Sequence, residues 1–171
     1  MTSIELGAAS AQGRFLIDVY LKKALAGLND THRALEPSPG LKTAGWLVGH
    51  LAVTGDFGRK LCGLPALCPR EWRAAFNPGS TPSPNAADYP AMSELCDTVR
   101  AVYDNLTASA QGTNPAALAA VNPFVPAQRG FPTAGHFVGY LMTGHFALHL
   151  GQLLLWRAAA GVRENKADAA A

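Results

Sequence analysis

The run TAGHFVGYLMTGHFALHLGQLLLWRAAA, residues 133–160, decides the fold class. An α-helix turns about 100° per residue, so positions four apart stand about 40° from each other on neighbouring turns. Taking His145 as origin, Val138, Leu141, His149, Gln152 and Trp156 all fall within about 40° of it. That stripe is apolar except for two imidazoles and an amide. Thr133 is placed to cap the start and Gly161 to end the run, so the spacing predicts one helix from Thr133 to Ala160. Between Arg129 and Arg157 there is no Asp, Glu, Lys or Arg. The run is long enough to suggest a membrane span. Three histidines, a glutamine and five glycines interrupt it, however, and no second span of this kind occurs. It reads as a buried bundle helix, with no membrane partner.

Three further stretches carry helical spacing. The first runs from about Ser10 to Leu28, with Ile17, Tyr20, Leu21, Ala24 and Leu28 as its apolar stripe and Lys22 and Lys23 turned away. Asn29-Asp30 and the segment Glu36-Pro37-Ser38-Pro39-Gly40 end it. The second runs from about Leu41 to Cys62, stopped by Gly63 and Pro65. The third runs from about Ala91 to Ala110, with Pro90 at its first turn; a short helix follows at Pro115–Val121. From Gly63 to Pro90 the chain is punctuated by prolines 65, 69, 78, 82, 84 and 90. A connection this long is more often a functional lid than a linker, and EWRAAF, 71–76, adds a helical turn to it. No stretch alternates cleanly as a strand. The expectation is an all-α fold: an up-down-type four-helix bundle with a long proline-rich connection between the second and third helices. One domain spans 1–171, with a frayed tail from about 163.

Composition excludes several classes. Hydrophobic residues are 49% of the chain and charged ones 15%, so it is not disordered. The formal net charge is +2 and no Lys/Arg cluster forms a nucleic-acid footprint. Three cysteines, Cys62, Cys68 and Cys96, contain no CxxC pair, which fits a reducing, cytoplasmic setting. The stretch MTSIELGAASAQGRF lacks the pattern of a secretory signal.

Two histidines on one apolar helix face admit two readings. Each is a neutral, hydrogen-bonded core residue, or the i, i+4 pair holds one metal ion. The second helix bears on the choice. Within about 60° of His50 lie Thr43, Trp46, Leu47, Val53, Thr54, Phe57 and Leu61, so His50 also faces inward. Three imidazoles from two helices make an open first shell, with remaining positions for water or substrate. By contrast, His136 lies about 180° from His145 and reads as a surface residue. His32 reads as a solvated or capping side chain. Asp56 and Cys62 stand about 120° from His50, and Arg59 and Arg129 read as solvated.

The pairing of a WLVGHL helix, 46–51, with HFALHLGQLLLWR, 145–157, resembles the DinB-like (DinB/YfiT-like) family of metalloenzymes. Gly151-Gln152 and the Ser38-Pro39-Gly40 turn match the family style, and the similarity extends from about residue 10 to 161. The resemblance implies that His50, His145 and His149 bind a divalent metal. Zn²⁺ is the first expectation for three imidazoles, with Ni²⁺, Mn²⁺ and Fe²⁺ also compatible. Gln152 would orient a ligand or bound water, and Trp46, Thr54 and Phe57 would shape the pocket. Relatives include thiol-dependent transferases and isomerases, and others carry the name hydrolase. The implied function is therefore thiol transfer or hydrolysis on a small-molecule substrate, with a low-molecular-weight thiol as cosubstrate of a transferase. The alternative is a non-catalytic metal-binding or interaction domain. No catalytic carboxylate is visible beside the trio, and a homodimer is expected from the family alone.

Overall fold

The computed structural model describes residues 3–163, and the tail expected to fray, 164–171, lies outside them. Among the described residues the chain is all-helical; the one bridge, between Val121 and Thr133, is isolated. Helix α1 (Ser3–Phe15) begins before the predicted start and passes through a π turn (Leu16–Leu21) into α2 (Lys22–Leu25). A π turn takes in an extra residue and shifts the register. Ile17, Leu21, Ala24 and Leu25 are buried, whereas Tyr20, expected on the apolar stripe, is 39% exposed.

Helix α3 (Ala44–Leu61) starts where the Thr43 hydroxyl accepts from the Trp46 amide. It packs against α4 (Trp72–Phe76), α5 (Met92–Ser109), α7 (Ala134–Met142) and α8 (Gly144–Ala159). The short α6 (Pro115–Ala119) rests on α7. Every residue of α3 from Ala44 to Asp56 is buried, as befits a helix surrounded by others. Polar side chains on such a helix need partners. Arg59, expected to be solvated, is instead buried in a 2.6 Å ion pair with Asp56. Arg59 also donates to Asn105 and to the Pro65 carbonyl, while Asp56 accepts from the amides of Leu67 and Cys68. The pair thus fastens the start of the segment leading to α4.

The run at 133–160 is not one helix. It breaks at Thr143, where φ is −123° and ψ −85°. The Thr143 hydroxyl donates back to the Gly139 carbonyl, a bond that competes with the helix ladder. Gly144 then lets the Tyr140 ring lie where an added Cβ would meet it at 3.1 Å. The break interrupts the regular angular progression, so Val138 and Leu141 do not define the face of His145. That face is set within α8, where Phe146, Leu150, Leu153 and Trp156 are buried against α3 and α5 residues such as Leu47, Leu51, Val99 and Tyr103. Gly161, at φ +67°, ends α8, and the Val162 amide returns to the Arg157 carbonyl. No helix among the described residues is long and apolar enough to cross a membrane.

Candidate metal centre

His50 on α3 and His145 and His149, one turn apart on α8, come together. Each offers one ring nitrogen, and the three nitrogens lie within 4.8 Å of one another. Ring centroids stand 5.3 Å apart for His50–His145, 4.6 Å for His50–His149 and 4.5 Å for His145–His149. Among the described residues no Cys, Asp or Glu joins the group. His50 is 3% exposed and His149 half-buried.

Local structure fixes two of the three tautomers. The Phe76 carbonyl lies 2.7 Å from His50 Nδ1 and can only accept, so Nδ1 carries the proton and Nε2 keeps its lone pair. His149 Nδ1 is bonded in the same sense to Gln152 Oε1 at 2.7 Å. The Phe76 contact depends on Gly49: a Cβ there would stand 2.7 Å from the Phe76 ring. Burial makes protonation costly. It pushes His50 down to about 4, against the pull of the Phe76 carbonyl, and His145 down to about 3, with His149 and His50 adding repulsion. His149 is also lowered by burial, with Gln152 opposing. All three are neutral near pH 7, the form in which imidazole binds a metal.

The donor set fits a divalent cation. Nitrogens bound tetrahedrally at about 2.0–2.1 Å stand about 3.4 Å apart, a modest contraction from this spacing. His145 Nδ1 is buried and has no hydrogen-bond partner. An orphaned imidazole nitrogen beside two pre-set ones is what a cation or a water would satisfy, and a purely structural cluster leaves it unexplained.

The other expected site residues are placed as follows. Trp46 stacks on His50 with centroids 4.6 Å apart and planes within 9°, and its Nε1 donates to Ser80. Thr54 spends its hydroxyl on the carbonyls of His50 and Leu51. Phe57 meets Phe137 edge-on at 6.1 Å. His136 is exposed and bonded to Thr133, away from the trio, and Arg129 is exposed. His32 accepts from the Asn29 amide as a cap and meets Trp156 edge-on. Cys62, Cys68 and Cys96 are free thiols outside the cluster, and burial raises all three, Cys68 to about 12. Asp56 is committed to Arg59. Two contributors were not foreseen: the Phe76 carbonyl and Tyr140, whose ring meets His145 edge-on at 5.8 Å. A backbone carbonyl has no sequence signature. Tyr140 precedes His145 by five positions, which on an unbroken helix points it elsewhere.

No curated protein and no solved structure gives a significant match to the chain. The family model described as the DinB superfamily matches residues 19–153, a stretch that holds the three clustered histidines, all of α3 and the first ten residues of α8. On that match, extending over most of its length, the chain belongs to the DinB superfamily.

Proposed function

We propose that this chain is a divalent-metal-dependent enzyme, one helical domain built as an up-down four-helix bundle, that transfers a thiol to a small electrophile or hydrolyses a small molecule. The observation that carries the reading is the convergence of three neutral imidazoles, two of them with the second nitrogen already tied to an acceptor. His50, His145 and His149 would hold the ion, with Zn²⁺ first and Ni²⁺, Mn²⁺ or Fe²⁺ as competitors. A divalent cation held by neutral ligands supplies undiminished positive charge, which polarises a bound group and eases loss of its proton. The protein's own contribution is orientation. Phe76 and Gln152 hold the two imidazoles in register, and Trp46 covers one face of His50. Thiol transfer is favoured over hydrolysis because no carboxylate among the described residues joins the cluster to act as base, and a thiol brings its own nucleophile.

Metal analysis tests this. Wild type loaded in turn with each of the four ions and then desalted is expected to retain about one equivalent of at least one, and His145→Ala and His50→Leu to lose it. A wild type that stays metal-free under every condition overturns the reading. Thiol-dependent conjugation of a small electrophile, and thiol-independent ester hydrolysis, each followed with chelator and with restored metal, separate the two chemistries.

Among the described residues the cluster holds no group besides the three imidazoles, which also favours a second reading, a non-catalytic metal-binding or interaction domain. It predicts stoichiometric metal and no chelator-sensitive turnover. We place the protein in the cytoplasm, supported by three free thiols. We also propose a homodimer, in support of which Leu148 and Leu155 on α8 are 55% and 57% exposed.

A further inference from the structure

Beside the histidines stands a set of aromatic rings outside the two hydrophobic cores. Phe137 is its centre, with Phe57 at 6.1 Å, Phe124 at 5.6 Å, Phe131 at 6.0 Å and Tyr140 at 6.1 Å. Phe131 also stacks on Tyr140 at 4.3 Å, and Tyr140 meets His145 at 5.8 Å. Only Phe137 is buried; Phe57, Phe124, Phe131 and Tyr140 are half-buried. Apolar side chains exposed singly are ordinary, whereas contiguous ones mark a binding surface. Four partly open rings contiguous with a candidate metal ligand therefore need an explanation.

The loop that presents two of them is held in shape. Asn122, 0% exposed, donates to the Phe131 carbonyl and accepts from the Phe124 amide, while its own carbonyl accepts from Gln128. Asn122 and Ala134 also bond by backbone to Pro132 and Ala120. The ring positions are thus set before any ligand arrives, which lowers the cost of binding. Along α3, Phe57 follows His50 by seven residues, two turns on the same side, so the rings extend away from the histidines by about 10 Å. Between Val121 and Tyr140 the one residue charged at pH 7 is Arg129, which is exposed.

We infer that these rings are the recognition wall for the substrate, which carries an uncharged aromatic or flat apolar group beside the polar group that reaches the histidines. The inference rests on the proposed metal centre, and it adds the substrate class. A set of half-open rings joined edge-on to His145 is matched by a ligand that is polar at one end and planar and apolar at the other.

Two hydroxamates that share a metal-binding head and differ in the ring test it. Binding of benzohydroxamate and of acetohydroxamate to the Zn²⁺-loaded full chain is measured by calorimetry. Wild type is expected to prefer the aromatic compound by about tenfold or more. Phe131→Ala is expected to bring that preference close to unity while leaving acetohydroxamate affinity and Zn²⁺ content unchanged. Phe131→Leu, which keeps most of the volume and loses the ring, serves if the alanine variant fails to fold. Equal affinity for both compounds in wild type, or a preference that survives both substitutions, overturns the wall and leaves the metal centre standing. Where Zn²⁺ is not retained, the same measurement is made with whichever of the other three ions is; a wild type that takes up none of the four overturns both.

Discussion

The His50 Nδ1–H donates to the Phe76 carbonyl across 2.7 Å, so an imidazole on the central helix is steered by the backbone of the short helix α4. The contact requires close approach of α4 to α3, and Gly49 permits it. Helix propensity alone favours alanine over glycine by about 1 kcal/mol. Sterics oppose it, because a Cβ on residue 49 would stand 2.7 Å from three atoms of the Phe76 ring. Overpacking of this kind costs about 1–3 kcal/mol and shifts backbone. Gly49→Ala is therefore expected to lower stability and also to weaken Zn²⁺ affinity by about tenfold to a hundredfold. Denaturant unfolding and competition with a chromophoric chelator read the two effects; a stabilised variant with unchanged affinity contradicts the argument.

Gln152 does for His149 what the Phe76 carbonyl does for His50, but from the surface. An exposed side chain contributes little to packing, so Gln152→Ala is expected to change stability by less than about 0.5 kcal/mol. Its effect on Zn²⁺ affinity is expected to be about tenfold or more, since the imidazole loses the acceptor that fixes its tautomer. Gln152→Glu keeps an acceptor and is expected to restore most of the affinity. Equal affinity in wild type and Gln152→Ala, by chelator competition, refutes this role.

The Asp56–Arg59 pair is buried at 4% exposure for each side chain. Removing one member leaves the other charged without its partner, which typically costs about 3–5 kcal/mol. Asp56→Ala also deprives the amides of Leu67 and Cys68 of their acceptor. Urea unfolding is expected to show a loss of this order, with Arg59→Ala in the same range. A double-mutant cycle should return a large coupling term. Near-additive losses show that the pair does not act as a unit.

Much of this was legible in the chain. The spans of α3 and α5 follow to within about three residues from stripes bounded by Gly40, Gly63 and Pro90, because breakers act locally, whereas the cap at Thr43 was not read. The convergence of His50 with His145 and His149 was also readable, because i, i+4 spacing holds within one helix and His50 faces inward on its own. What escaped the reading depends on register or on distant contacts. The π turn at Leu16–Leu21 and the break at Thr143 each alter an angle that a regular helix would preserve. The break also moves Tyr140 to the edge of His145. Arg59 was misplaced because its burial is decided by the segment at 65–68 folding over it. Nothing in residues 71–76 marks the Phe76 carbonyl as the partner of His50.

The buried histidines also fix a pH dependence for the metal-free protein. In the unfolded chain each takes up a proton near pH 6.5. In the folded protein burial depresses His50 to about 4 and His145 to about 3, and His149 moves the same way. Between these values the unfolded state binds more protons, so stability rises with pH there. It is fully expressed above about pH 7 and falls as the pH drops through 6.5 toward the folded-state values. At pH 5 the expected loss is about 2 kcal/mol for each strongly depressed histidine. Urea midpoints of the apo-protein at pH 8, 7, 6 and 5 should be flat over the first step and decline over the rest, before most carboxylates titrate. His145→Gln, which cannot take up a proton, is expected to flatten the decline. A stability that increases from pH 7 to pH 5 means that the imidazoles gain protons on folding, and the neutral tautomers held by Phe76 and Gln152 are then not those of the native state.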